Sequence, residues 1–326
     1  MAVKSYGFAI GNLRAKENTL LKQSDLLQLL SAEDINSFGS LLKDKGIGGN
    51  SVNDEPLQLI KKHTEQLWQY LEDIAPDMSA FLPFIYENDF HNLKAVLKAV
   101  LRERDFGPLV IVPASVDVGL MERAIKDKKF DILPTILSDC AKQGYEILTQ
   151  TGDAQLADGI IDAACMEAQL ETAKQSKIDI SLQIIKIILF YNNIKVALRS
   201  AKSGKRKEFL EKTLTETDVL PKKELISATL IGEEKVLELL SKVSTYRGEE
   251  AVNEYKNGAW RLELFADNLV MQKAKSCRSI TMGIEPLIGY MCARKTELKN
   301  LKIIYSGIKN GQQREKTEER LRELYG

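Results

Sequence analysis

The sequence predicts an all-α fold on three grounds. Prolines are few: the chain has 326 residues and eight prolines, and the windows between Pro134 and Pro221 and between Pro221 and Pro286 contain none, so helices can run through them. Apolar residues recur at helical spacing, while the alternation typical of strands is nearly absent. Glycine and polar clusters divide the chain into lengths that suit helical hairpins.

Helical periodicity is clearest in the last third of the chain. One set follows the i, i+3, i+4, i+7, i+8 rule of an amphipathic helix, namely Leu262, Phe265, Ala266, Leu269 and Val270. A second set alternates steps of three and four, the seam of a helix packed along another helix, namely Leu298, Leu301, Tyr305 and Ile308. A helix over 284–308, with Pro286 in its first turn, would be about 37 Å long.

The predicted breaks between helices are short clusters rich in glycine and polar residues. They lie at 46–51, 105–108, 151–153, 203–205 and 246–248.

An internal repeat is the most informative local feature. The triplet Asn-aliphatic-Lys begins at Asn92, Asn193 and Asn300. Each copy has an apolar residue two positions before the asparagine and apolar residues four and five positions after it. Near-even spacing of three such copies predicts three similar helical units over 1–108, 109–210 and 211–326, each of ordinary domain size.

The polar residues of the triplets are candidate structural or interface residues: Asn92, Lys94, Asn193, Lys195, Asn300 and Lys302. Asparagine is a mediocre residue in the interior of a helix and usually persists where its amide bonds another element. We therefore expect hydrogen bonds between helices, with contact to a partner protein as the alternative.

Four acidic residues form a second candidate set: Asp158, Asp162, Glu263 and Asp267. Each pair is spaced four residues apart and so shares one face of a helix. Such a face could line a cavity or engage a basic partner, and the alternative is a solvated surface.

Composition argues against several classes of protein. Forty-six basic and 46 acidic residues give a net charge of zero, so no nucleic acid is expected as a partner. Four dispersed cysteines without a CxxC pair and two histidines predict reduced thiols and no metal site. No secretory signal and no run of 18 apolar residues is found, so we expect no direct transmembrane insertion and any membrane association to go through other proteins.

The familiar catalytic and nucleotide-binding motifs are missing as well. The chain has no HExxH, its Gly-rich stretch at 46–51 does not match GxGxxG, and Gly204-Lys205-Arg206 lacks the other parts of a P-loop. It has no Asp-Asp pair, which argues against a helical prenyl-transfer enzyme with its magnesium-binding DDxxD. We expect no catalytic residue and no cofactor.

Five stretches together resemble a known family. At the C-terminal end they are Glu-Pro-Leu-Ile-Gly-Tyr (285–290), Glu-Leu-Lys-Asn-Leu-Lys (297–302) and Glu-Glu-Arg-Leu-Arg-Glu-Leu-Tyr (318–325). The other two are 6–15 and 87–94. Their order resembles the C subunits of V-type rotary ATPases, which are the counterparts of the eukaryotic d subunits.

The resemblance implies a fold and a role that the residues alone do not. It implies a pseudo-three-fold funnel of helices with a central cavity, without catalysis or nucleotide binding. Its partners would be the D- and F-type axle subunits of the soluble head and the membrane rotor ring, on the cytoplasmic face of the membrane. Two alternatives stay open: a helical repeat scaffold of another assembly, and a helical enzyme with an unfamiliar site.

Overall fold

The computed structural model describes residues 5–49 and 54–326, and within these residues it contains helices and no strand. The prediction of an all-α fold is confirmed. The α-helices of this part of the chain are α1 (Tyr6–Glu17), α2 (Gln23–Leu30), α3 (Ile35–Asp44), α4 (Pro56–Ile74), α5 (Leu82–Leu101), α6 (Val118–Lys126), α7 (Thr135–Gln150), α8 (Ala154–Ser176), α9 (Asp179–Ser203), α10 (Lys207–Thr213), α11 (Lys222–Ile231), α12 (Glu233–Ser241), α13 (Gly248–Lys256), α14 (Ala259–Lys275), α15 (Glu285–Lys309) and α16 (Arg314–Glu318).

Local sequence signals explain where several helices start and stop. Asp34 caps α3 by accepting a hydrogen bond from the Ser37 backbone N–H at 2.7 Å, which satisfies one of the unpaired donors of a helix start. Pro286 sits in the first turn of α15, as the sequence predicts. Gly204 ends α9 with a φ of 62°, a left-handed conformation that costs glycine little.

The described residues of the predicted breaks lie at helix ends, in short 3-10 turns or between helices. The 151–153 cluster separates α7 from α8, and the 105–108 cluster leads into a short 3-10 turn at Gly107–Leu109. Of the cluster at 46–51, residues 50 and 51 lie outside the described residues.

Contacts divide the chain into two compact units. The terminal unit comprises residues 1–79 and 254–326. Its long helix α15 packs against α1, α4 and α14, so the beginning and the end of the chain share one core. That core includes buried Leu71 from α4 and Leu301 from α15.

The central unit comprises residues 80–253. In it α8 packs against α5, α7 and α9, while α9 also packs against α11 and α12. One apolar cluster joins α5 to α8 and includes Phe90, Leu97, Ile125 and Ile161. Burying such side chains stabilises the folded state by roughly 1.5–3 kcal/mol each.

These two units are defined by contacts, whereas the three units at 1–108, 109–210 and 211–326 are a prediction about internal repetition. The number of contact units does not decide whether a sequence is repeated. The three-unit division therefore stays a prediction.

Helix α9 is the one helix of the described residues whose length and hydropathy would allow it to cross a membrane. Yet 61% of its most apolar window is buried inside the protein, as in the core helix of a water-soluble fold. Its Lys186 forms an ion pair with Asp218 at 2.5 Å. Length and hydropathy are therefore weak evidence for a membrane span here.

Candidate functional site

Each asparagine of the repeated triplet holds a distant stretch of backbone by the same pair of hydrogen bonds. On α5, the Asn92 side-chain amide donates to the Ile111 carbonyl at 2.9 Å, and its oxygen accepts from the Ile111 N–H at 2.8 Å. We call this arrangement an asparagine clamp, and the residue that it holds the clamped residue.

The second and third clamps repeat this geometry. Asn193 on α9 donates to the Thr215 carbonyl at 2.6 Å and accepts from its N–H at 3.1 Å. Asn300 on α15 does the same with Arg322, at 3.0 and 2.8 Å. The clamped residue follows its asparagine by 19 positions in the first clamp and by 22 in the other two.

The clamped residues lie outside helices, so their backbone groups have no helical partner. A primary amide can donate and accept at once and therefore satisfies both groups of one residue. The sequence predicts hydrogen bonds between helices at these asparagines, and in the structure the partner is non-helical backbone. The clamped residues could not be predicted from the sequence. The asparagine binds only their backbone, so the residue type differs in each copy.

The lysines of the triplets do not share one role. Lys94 forms an ion pair with Asp162 at 2.5 Å. Lys195 lines a cavity of about 520 Å³ in the central unit, and Lys302 is exposed on α15. The repeated structural element is thus the asparagine alone.

The first acidic pair faces α5. Asp158 and Asp162 on α8 bind Lys98 and Lys94, at 2.6 and 2.5 Å. The lower-numbered acid meets the higher-numbered lysine, so the two helices run antiparallel. Both carboxylates also line the cavity of about 520 Å³, and their basic partners belong to the same chain.

The second acidic pair joins α14 to the third clamp. Glu263 and Asp267 both contact the Lys299 ammonium of α15, at 2.8 and 2.6 Å. They also accept from the Arg322 guanidinium, at 3.2 and 2.8 Å. Arg322 is the clamped residue of Asn300, so backbone and side chain are both held.

A buried ion pair in the terminal unit is absent from the sequence prediction. Arg294 and Glu297 lie 2.7 Å apart on one face of α15, and the Leu21 backbone N–H donates to Glu297 at 2.6 Å. Arg294 also donates to the Thr19 hydroxyl. Burial raises the pKa of Glu297 to about 7, while Arg294 and the Leu21 N–H act in the opposite direction. Only contacts across 275 positions of sequence reveal this link.

Asp89 is a second polar residue that the sequence does not single out. It is fully buried and accepts from the Ser115 and Val116 backbone N–H groups at 2.8 and 3.0 Å. Burial raises the pKa of Asp89, and these hydrogen bonds oppose the shift. Asp89 thus holds the chain just beyond the first clamp.

The cysteine thiols of this chain are buried, which disfavours their ionised form. The four cysteines are free and buried, and burial raises the pKa of Cys140 and Cys292 to about 12 and that of Cys277 to about 11. A protonated thiol is a weak nucleophile and metal ligand. Across residues 5–49 and 54–326, no group of three or more His, Cys, Asp or Glu side chains could hold a metal ion.

In this all-helical fold the three asparagines and the two acidic pairs bind the chain's own backbone and charged side chains. The chain belongs to the ATP synthase (C/AC39) subunit family, whose model matches residues 9–320. The resemblance seen in the sequence is thereby confirmed.

Similar curated proteins carry related names. The C subunit of a V-type sodium ATPase from Enterococcus hirae is 21% identical, over 96% of this chain and 97% of that protein. The C subunit of an A-type ATP synthase from Methanocaldococcus jannaschii is 25% identical, over 93% of this chain and 82% of that protein. The C subunit of an A-type ATP synthase from Methanobrevibacter smithii is 22% identical, over 90% of this chain and 81% of that protein.

Proposed function

We propose that this chain is the non-catalytic subunit of a V-type rotary ATPase or ATP synthase that couples the axle of the ATP-hydrolysing head to the membrane ion-carrying ring. The observation that carries the proposal is the match, over nearly the whole length of both chains, to the C subunit of a V-type sodium ATPase. In this role the chain contributes to ATP-linked transport of protons or sodium.

The proposed partners are the D- and F-type axle subunits at one end and the rotor ring at the other. The chain would sit peripherally, on the cytoplasmic face of the membrane. A joint of this kind must transmit torque without slipping, and close-packed helix interfaces resist deformation. The clamps and ion pairs support such stiffness, since they tie non-helical segments to long helices.

We propose further that the chain is a three-fold pseudo-symmetric funnel with a central cavity, built of three repeats. Three clamps of equal geometry support the repetition. Two of them cross the boundaries predicted at 108/109 and 210/211. Units that keep each clamp intact would therefore end no earlier than Ile111 and Thr215.

The test compares complexes assembled with and without this protein. Without it, we expect the soluble head to hydrolyse ATP while ion transport stops. Ion pumping in proportion to the ATP consumed, in complexes that lack the protein, would contradict the coupling role.

A separate measurement addresses nucleotide binding. Isothermal calorimetry of the isolated chain with ATP should show no saturable binding, because the sequence offers no phosphate-cradling loop. Saturable binding would contradict the expected absence of nucleotide binding.

A further inference from the structure

A turn rich in positive charge joins α9 to α10 in the central unit. Residues 202–207 read Lys-Ser-Gly-Lys-Arg-Lys, and we call them the basic turn. Gly204 closes it with a φ of 62°, and the Lys205 N–H donates to the Ser200 carbonyl at 3.0 Å. These features fix the backbone of the turn and leave most of its charged side chains exposed.

The stability of the neighbouring helices does not account for all of this charge. Lys202 lies in the last turn of α9, where the helix dipole favours a cation. Arg206 and Lys207 lie at the start of α10, where the dipole disfavours one. Charge at the start of α10 is therefore kept against the local preference of the helix.

Two exposed aliphatic side chains end α11, and we call Leu230 and Ile231 the apolar corner. Leu230 is 48% exposed and Ile231 is 74% exposed, the highest value for a large apolar side chain in the part of the chain that the structure describes. Gly232 follows with a φ of 146° and leads directly into α12. Contact of such side chains with water is unfavourable, so the pair favours contact with an apolar environment.

The basic turn and the apolar corner lie side by side in the central unit. Glu233, the first residue of α12, binds Lys202 at 3.2 Å, and α9 packs against both α11 and α12. A Cβ atom at Gly204 or at Gly232 would meet no atom within 4 Å. Both turns are therefore open to a large ligand from outside.

The charge around the two turns stays positive when every acid is counted. Residues 199–212 and 230–235 include seven basic and four acidic side chains, a net charge of +3 in a chain whose net charge is zero. On α8, which packs against α10, Asp158 and Asp162 are balanced by lysines of α5. Asp153, at the start of α8, would lower the sum only to +2. A negatively charged ligand complements this surface.

The combination fits an anionic membrane surface better than a protein. Each positive charge near anionic lipid strengthens binding about fivefold, whereas lysine is depleted at protein interfaces, and three of the four charges of the basic turn are lysines. A stable protein interface takes about 800 Å² from each partner, more than two side chains provide. Aliphatic side chains at the membrane surface leave water, while long basic side chains extend to the phosphates.

We propose that the basic turn and the apolar corner form a lipid-contact surface, which binds anionic phospholipid headgroups through its positive charges and inserts Leu230 and Ile231 among them. The sequence predicts membrane association only through other proteins, and this surface adds a direct contact without a transmembrane segment. The inference goes beyond the proposed function and does not depend on it, because binding to vesicles needs no other subunit.

The test is sedimentation of the full chain with lipid vesicles. Vesicles of phosphatidylcholine and phosphatidylglycerol in equal amounts are compared with vesicles of phosphatidylcholine alone. We expect binding to the anionic vesicles to be tighter by about tenfold or more, and to weaken as salt rises, because salt screens exposed charges. Equal binding to both kinds of vesicle, or binding to neither, would overturn the proposal.

Charge reversal in the basic turn locates the contact. Lys205→Glu with Arg206→Glu should weaken binding to anionic vesicles by about tenfold or more, with an unchanged circular dichroism spectrum. The matched control is Lys142→Glu with Lys174→Glu, which reverses exposed charges of α7 and α8 and gives the same net charge. An equal loss in both variants would show attraction by net charge alone and would contradict the surface assigned here.

An environment-sensitive fluorophore tests insertion of the apolar corner. The four native cysteines are buried, so Ile231→Cys supplies an accessible thiol for labelling, and Ile132→Cys labels another exposed aliphatic position. On anionic vesicles we expect a blue shift of the emission at position 231 and none at position 132. No shift at 231, or equal shifts at both positions, would rule out the insertion.

A protein partner at this surface would give a different result. The charge-reversed variant would then be lost from the purified complex, although the unmodified chain binds no vesicles. That outcome would replace the lipid with a protein and overturn the proposal.

Discussion

At the scale of single residues, the asparagine clamp explains why a mediocre helix former recurs inside three long helices. Its amide replaces the partners that a non-helical backbone segment would otherwise find in water. Removing the amide lowers the free energy of unfolding by about 1–3 kcal/mol for each buried backbone group that is left unpaired.

The second clamp gives the sharpest test of this cost, because Thr215 is almost fully buried. Asn193→Ala should lower the free energy of unfolding by about 2–4 kcal/mol, since one N–H and one carbonyl lose their partner. Urea denaturation measures the change. The matched control is Asn310→Ala, which removes an exposed hydrogen bond to Ser306 and should cost less than about 0.5 kcal/mol; equal effects would contradict the clamp's role.

A histidine on α4 should make the stability of the terminal unit depend on pH. Burial lowers the pKa of His63 from 6.5 to about 4, and the positive charges of Arg294 and Lys16 act in the same direction. The unfolded chain therefore binds more protons between these values, so stability is lost as pH falls from 6.5 toward 4. Urea midpoints at pH 7 and pH 5 should differ more for the unmodified protein than for His63→Gln.

Direct titration provides the control for this prediction. The chain has two histidines, so their imidazole signals are readily assigned by NMR. A His63 midpoint at or above 6.5 would contradict the proposed cause.

At the scale of helices, some glycines lie so close to neighbouring atoms that they leave no room for a larger residue. In α15, a Cβ at Gly289 would lie 2.8 Å from the Cys277 Cβ and 3.0 Å from the Ala274 carbonyl oxygen. In α1, a Cβ at Gly11 would meet no atom within 4 Å. The same substitution should therefore have opposite effects at the two sites.

We expect Gly289→Ala to destabilise the protein by about 1–3 kcal/mol, because backbone must shift to admit the methyl group. Gly11→Ala should stabilise it by up to about 1 kcal/mol through reduced freedom of the unfolded chain. Thermal unfolding of the two variants measures both. Changes of the same sign would show that packing around Gly289 is looser than the structure indicates.

Helices were the part of this fold most open to prediction from sequence. The spacing of Leu262 through Val270 predicts α14, and the run from 284 to 308 lies almost wholly within α15, because both patterns depend on local periodicity. The repeated triplet identifies the three asparagines but not the residues that they bind. An asparagine that binds backbone groups requires no particular side chain at Ile111, Thr215 or Arg322. Contacts between distant stretches, such as Leu21 with Glu297, are set by tertiary packing and were equally hidden.

At the scale of the whole molecule, the central unit is one continuous stretch inserted into the terminal unit. A fragment of residues 80–253 should therefore fold alone, with a helical circular dichroism spectrum and cooperative urea unfolding. Residues 1–79 alone should not, because α4 would lack α15, against which it packs. A stable fragment 1–79, or an unfolded fragment 80–253, would contradict this division.

The same insertion fixes an order of events during protein synthesis. All residues of the central unit leave the ribosome before α14 and α15 do, so that unit can fold while translation continues, as domains generally do. The first helices must wait with apolar faces exposed until the last part of the chain arrives. The third clamp joins Asn300 of α15 to Arg322, so the terminal unit is completed only after α14 and α15 have been synthesised. Nascent chains stalled before α15 should accordingly recruit chaperones through the N-terminal helices.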